Sequence, residues 1–261
     1  MSYLIAVTGK GGTGKTTVAA LVVRQLIARQ CTPALAVDAD PNTCLDAALG
    51  VKAECTIGGL REEARQIAGK GMSTGVSKQR LLELKIAEAL VEGDGFDLIA
   101  MGRSEGPGCY CYANNVLKAS LNQLSAYYPY VVLDNEAGLE NLSRRLVPKV
   151  NLMVMVTDPS KRGLETLRRL WALTGEMEIA YDELVIVANR LRSVEAGKDI
   201  EQALAPDFGE FAFLGLPDDV AVAEKAERGE PVIALPRDNP VVAGIDTMIE
   251  NHVPATAVRS E

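Results

Sequence analysis

Eight residues near the start of the chain, Gly9-Lys10-Gly11-Gly12-Thr13-Gly14-Lys15-Thr16, restrict the fold more than any other stretch. They lie between the apolar, β-prone run 3–7 and a segment, 16–30, where Val18, Leu21, Val22, Leu26 and Ile27 recur at helical spacing. Strand, glycine-rich loop and helix in that order, with this spacing, make a phosphate-binding loop. Its glycines tolerate the turns that let backbone N–H groups surround phosphate, and the helix N-terminus adds a favourable field. Lys15 is placed to reach the outer phosphates and the Thr16 hydroxyl to help hold Mg²⁺, with Thr17 turned towards phosphate beside it. A turn that only joined strand to helix would leave both lysines and the threonines without a role. A dinucleotide fingerprint would demand neither Lys15 nor Thr16.

Further units of the same kind follow. The pattern predicts strands at 33–38, 96–101, 130–134, 151–157, 183–189 and 211–216, and helices at about 78–91, 112–125, 138–146, 160–173, 218–228 and 240–250. Tyr130-Val131-Val132-Leu133 and Leu184-Val185-Ile186-Val187-Ala188 are near-continuous apolar runs, as parallel strands covered on both faces require. The expected fold is α/β, with a mostly parallel central sheet flanked by helices. No internal repeat or compositional break divides the chain, so one domain, 1–261, is expected, and Gly69 to Ser77 reads as an excursion from it. In such a sheet the ligand crevice lies beyond the carboxyl ends of the strands. Asp38-Ala39-Asp40-Pro41-Asn42 and Asp134 fall at those ends, where carboxylates can meet Mg²⁺ or the attacking water.

Hydrophobic residues form 48% of the chain and the formal net charge is -8. The first supports a packed core; the second gives no general attraction to a phosphate backbone, so no nucleic-acid partner is expected. Met1 to Val7 lacks the parts of a secretory signal, and no run nears the ~20 apolar residues of a membrane span. A cytoplasmic protein with no membrane partner is the expectation. Cysteines at 31, 44, 55, 109 and 111 make no disulfide framework at this length and suit thiols or metal ligands in a reducing compartment.

Cys109-Tyr110-Cys111 follows the turn-forming run Gly106-Pro107-Gly108. Two thiols one residue apart can face one soft metal ion, yet supply only half of a closed tetrahedral site. A twofold axis would bring the other half from a second subunit, giving a four-thiolate site for Zn²⁺ or, if flattened, Ni²⁺. A redox dithiol or simple packing fits a lone pair as well. Cys31, Cys44 and Cys55 read as structural.

With Lys10 as a second lysine, the glycine loop resembles the variant found in the nitrogenase iron protein and in septum-positioning and chromosome-partitioning ATPases. The resemblance implies that Lys10 looks across a homodimer interface to phosphates bound by the other subunit and that Asp40 positions water, making Lys10, Lys15 and Asp40 catalytic. Thr16, Asp38 and Asp134 would hold or support Mg²⁺. Val187-Ala188-Asn189-Arg190 resembles the strand-end motif that reads adenine, and Gly215-Leu216-Pro217-Asp218-Asp219 the loop closing over base and ribose. Asn189, Arg190, Leu216, Pro217 and Asp218 thereby join Gly9 to Thr17 as nucleotide-binding residues. Arg190-Leu191 departs from the lysine and aspartate of ordinary GTPases, which implies ATP. Asp134 to Glu140 resembles the second switch, which senses the γ-phosphate.

Adding Cys109-Tyr110-Cys111 narrows the resemblance to the nickel-insertion ATPases that mature carbon monoxide dehydrogenase and the related accessory protein of acetyl-CoA synthase. It implies an ATP-promoted homodimer using ATP/ADP and Mg²⁺, with Ni²⁺ or Zn²⁺ bridging two subunits through Cys109 and Cys111, and a nickel enzyme as client. A positioning or scaffold ATPase is a second expectation, although Ala255 to Glu261 lacks a basic amphipathic helix. An iron-sulfur redox ATPase is a third. Against it, Val132 to Glu140 has no cysteine where the iron protein carries its second cluster ligand.

Overall fold

A computed structural model describes residues 2–59, 87–103, 118, 124, 126–138 and 149–255. Its strands are β1 (Tyr3–Gly9), β2 (Ala34–Asp38), β3 (Leu90–Glu92), β4 (Phe96–Ala100), β5 (Tyr130–Asp134), β6 (Val150–Thr157), β7 (Tyr181–Leu191) and β8 (Ala212–Pro217). The α-helices are α1 (Lys15–Ala28), α2 (Leu45–Leu49), α3 (Lys161–Glu176), α4 (Val194–Phe208), α5 (Val220–Arg228) and α6 (Pro240–His252), with a 3₁₀ turn at Val232–Ala234. The strands form one sheet in the order β3-β4-β2-β5-β1-β6-β7-β8. β3 pairs antiparallel with β4; the other pairs are parallel.

The apolar strand runs follow from burial on both faces. Along β1, Leu4 and Ala6 enter a core with Leu167 and Leu170 of α3 and Ile200, Leu204 and Phe208 of α4. Ile5 and Val7 enter the opposite core with Val18, Leu21 and Val22 of α1 and Ile245, Met248 and Ile249 of α6. Alternation with period two thus feeds two layers from one strand, each fully buried aliphatic side chain contributing about 1.5–3 kcal/mol. Trp171 stacks on Phe208 with ring centroids 5.3 Å apart, and its indole N–H donates to the Asp207 carbonyl. His252 Nδ1 lies 2.7 Å from a Glu183 carboxylate oxygen.

Three elements differ from the sequence expectation, the first being the short helix α2, whose five residues carry no periodic pattern. Helical pattern was expected through residue 91, but Leu90–Glu92 turns back as an antiparallel edge strand, because Asp94-Gly95, with φ 80° at Gly95, makes a hairpin into β4. Helix α4 was not anticipated: Gly197 and Pro206 dilute its pattern, yet Gly197, Ile200, Leu204 and Phe208 form its buried stripe. The expected helix at 138–146 and the excursion Gly69 to Ser77 fall on or almost wholly on residues outside those described, as does most of 112–125.

Candidate nucleotide site

β1 lies between β5 and β6, and its carboxyl end opens into the glycine loop. Gly9 has φ 148°, and a Cβ there would overlap the Val156 carbonyl oxygen of β6. Only glycine lets the chain leave the sheet that tightly. Gly14, with φ 96°, is the N-cap of α1, and a Cβ there would overlap the side-chain amide of Asn189. Asn189 is buried at the end of β7; its Nδ2 donates to the Thr13 carbonyl at 2.9 Å and its Oδ1 accepts from Arg190 N at 3.0 Å. Thr13 Oγ1 donates to the Lys10 carbonyl at 2.8 Å, and Lys15 Nζ reaches the same oxygen at 3.3 Å. The loop is therefore held from within and from β7 across 176 residues of sequence.

Helix capping separates α1 from its neighbours. Ser160, Ser193, Asp219 and Asn239 each accept an N–H at the starts of α3, α4, α5 and α6. The first N–H groups of α2 go to Asp38 Oδ2, from Cys44 and Leu45, each at 2.9 Å. No cap side chain accepts from the first turn of α1, although Lys15, Thr16 and Thr17 in that turn line a cavity of about 440 Å³. Uncapped N–H groups at a helix N-terminus, with the positive end of the dipole, form an anion site. Burial lowers the pKa of Lys15 while the fields of Asp134, Asp40 and Glu136 oppose that shift.

Parallel register sets Asp38 beside Asp134. Asp38 Oδ1 accepts from Asp40 N at 3.0 Å, so with the two bonds at Oδ2 its carboxylate braces the turn into α2. Burial pushes its carboxyl up to about 6 against those three N–H groups. Asp134 is pushed up to about 8, first by burial and then by the Asp38 charge; a hydrogen bond with Thr16 and the Lys15 charge act in the other direction. Asp134 Oδ1 is buried and has no hydrogen-bond partner among the described residues. A partnerless carboxylate oxygen beside a threonine hydroxyl and a phosphate cradle fits Mg²⁺, which is held by one or two protein oxygens together with phosphate and water. Asp40 Oδ1 accepts from Asn42 N at 2.8 Å and from Asn42 Nδ2 at 3.0 Å, and Asp40 lines the same cavity.

A second cavity, of about 480 Å³, shares Gly14, Thr17 and Arg190 with the first and is bounded further by Asn189, Pro217 and Asp218. Its outer wall is α5, through Val222, Ala223, Ala226 and Glu227. The joined cleft has the volume of a small-molecule site. Arg190, at φ 61°, lies at the junction of both cavities. Leu216 is buried in the core and absent from the cavity lining, with its Cδ2 packed where a Gly244 Cβ would stand.

Lys10 Nζ is 3.9 Å from Asp158 Oδ2, at the end of β6. Sequence reading passed over Asp158, although the strand-end rule that singled out Asp134 applies to it equally. The α5 wall was also missed as a site feature; nothing local distinguishes that helix from any surface helix. Cys109 and Cys111 lie outside the described residues, and among those described no group of three or more His, Cys, Asp or Glu could hold a metal ion.

A helix N-terminus left open to anionic oxygen, beside a carboxylate oxygen left open to a cation, is the working end of a P-loop nucleotide hydrolase. The chain belongs to the CobQ/CobB/MinD/ParA nucleotide-binding domain family, which it matches over residues 4–232. It is 38% identical over 248 residues to an uncharacterized ATP-binding protein of Methanocaldococcus jannaschii, covering 95% of this chain and 97% of that one. With the carbon monoxide dehydrogenase accessory protein CooC of Rhodospirillum rubrum it shares 31% identity over 238 residues, covering 86% and 87% of the two chains. The fold matches that of septum site-determining protein MinD from Pyrococcus horikoshii complexed with Mg-ADP, with a TM-score of 0.67, 19% identity and 96% coverage of each chain. The protein is an ATP-binding, ATP-hydrolysing member of this superfamily. Among the described residues no helix is long and apolar enough to cross a membrane.

Proposed function

We propose that the chain is a cytoplasmic, single-domain ATP switch whose output is delivery of a soft metal ion. The uncapped first turn of α1 carries the nucleotide half of this reading. The β- and γ-phosphates lie on the loop Gly9 to Thr17, with Lys15 on the outer phosphates and the base in the cavity walled by α5. Mg²⁺ would be held by Thr16 and Asp134, with Asp38 bracing the turn nearby, and supplies charge neutralisation on the phosphates. Asp40 orients the attacking water. Lys10 Nζ, 3.9 Å from Asp158 Oδ2 in the single chain, is available to reach phosphate across a homodimer.

The metal half rests on Cys109-Tyr110-Cys111 and on the 31% identity with an accessory protein of carbon monoxide dehydrogenase. ATP would bring two chains together, completing a four-thiolate site that takes Ni²⁺ or Zn²⁺ as cargo for carbon monoxide dehydrogenase or acetyl-CoA synthase. A second reading, a positioning ATPase, is favoured by the MinD/ParA family match and the MinD-like fold; it keeps the nucleotide cycle and drops the cargo. Anaerobic nickel titration with and without Mg-ATP, read with light-scattering mass, separates the two. One Ni²⁺ per ATP-stabilised dimer, lost in Cys109→Ala/Cys111→Ala, is expected. Dimerisation with no cysteine-dependent nickel binding would leave the positioning reading standing.

A further inference from the structure

The ends of β2 and β4 are joined as one unit next to the nucleotide. Asp38 pairs with Ala100 in parallel register, Met101 N donates to the Asp38 carbonyl at 2.8 Å, and Gly58 N donates to the Met101 carbonyl at 2.8 Å. Gly102 follows at φ 63°, where any Cβ would overlap Thr56. Beyond this fixed backbone one side chain reaches back: Arg103 Nη2 donates to Asn42 Oδ1 at 2.6 Å. The other end of that amide, Nδ2, donates to Asp40 Oδ1 at 3.0 Å, and Asn42 N donates to the same oxygen at 2.8 Å.

The polarity of this chain of bonds is fixed by chemistry. A guanidinium can only donate, so Asn42 must present Oδ1 to it and therefore NH₂ to Asp40. Without Arg103 the amide keeps its bond to the Asp40 carboxylate but loses its second anchor, so Asn42 and the carboxylate it holds can move together. We infer that Arg103 is a positioning residue for ATP hydrolysis, holding the Asp40 carboxylate through Asn42. The inference rests on the water-orienting role proposed for Asp40.

The test is a kinetic cycle on the full chain with saturating Mg²⁺: Arg103→Ala, Asn42→Ala, the double variant, Arg103→Lys, and Asp40→Ala as reference. Each single alanine variant is expected to lower kcat about 3- to 10-fold, the size of one lost hydrogen bond, with KM for ATP within about twofold of wild type. The double variant falls no further than the worse single one, and Arg103→Lys, which also only donates, recovers most of the rate. Multiplicative losses in the double variant, or wild-type kcat in either single one, overturn the inference. Asp40→Ala at wild-type turnover removes the Asp40 role and the inference with it; a slow Asp40→Ala with independent Arg103 and Asn42 effects removes the inference alone.

Discussion

At the glycine-loop end of the cleft Lys15, Asp134 and Asn135 are 8%, 1% and 2% exposed, whereas α5, which walls the end proposed for the base, has no buried residue at all. One end is made from the core: a loop tied to β7, a carboxylate in the sheet register, and the segment after β5 docked on β1 through Thr8 Oγ1 to the Gly138 carbonyl at 2.6 Å. The other end is a surface helix set against a turn. On the proposed placement of the nucleotide, phosphate recognition is therefore inseparable from folding, while base recognition can change at little cost to stability.

The sharpest way to break that contrast is Gly9→Ala. The obstructing atom is a backbone carbonyl oxygen within the β6 ladder, so it cannot rotate away. A loss of about 3 kcal/mol or more is expected in chemical denaturation. A variant with wild-type stability would show that the phosphate end is not part of the core.

Protonation probes the same end. Asp134 titrates at about 8 in the nucleotide-free fold, against about 3.9 in an unfolded chain. Between those values the folded chain holds a proton that the unfolded chain has lost, so nucleotide-free stability falls as pH rises from about 4 to 8. Asp38, at about 6, adds to the lower part of that window. A cation at Asp134 favours the carboxylate, so binding Mg-ADP at pH 7 should release up to about one proton. Calorimetry in buffers of different ionisation enthalpy measures this; release that survives Asp134→Asn would place the titrating group elsewhere.

Asn189→Ala tests the brace between β7 and the loop. It leaves the Thr13 carbonyl without its buried donor, for an expected loss of about 1–3 kcal/mol and weaker ATP binding. Unchanged melting would mean that the loop holds itself. Asn189 also illustrates what sequence could and could not reveal. Its place at a strand end was legible because Leu184 to Ala188 is apolar on both faces, but its bond to Thr13 spans the fold and leaves no local mark. The glycine loop was legible because Lys15 and Thr16 are fixed by spacing alone. The capping of α2 by Asp38 and the Arg103–Asn42 link depend on how β2 and β4 lie together, which no window of sequence encodes. Edge strand β3 did carry a signal, Asp94-Gly95, whereas α4 had its signal weakened by Gly197 and Pro206.

The smallest effect on stability, and the cleanest separation of the two ends, is expected from Ala223→Leu. Ala223 is exposed on α5 and lines the base cavity. Leucine is nearly as good a helix former as alanine and replaces no buried contact, so stability should move by less than about 0.5 kcal/mol. Its added volume projects into the space a base would fill, raising KM for ATP about 5- to 10-fold if that contact supplies roughly 1–1.4 kcal/mol. Inorganic tripolyphosphate, which has no base, should inhibit wild type and variant within about twofold of each other. Parallel weakening of ATP and tripolyphosphate would mean that α5 acts through the phosphate cradle, and the two ends of the cleft would then be one mechanical unit.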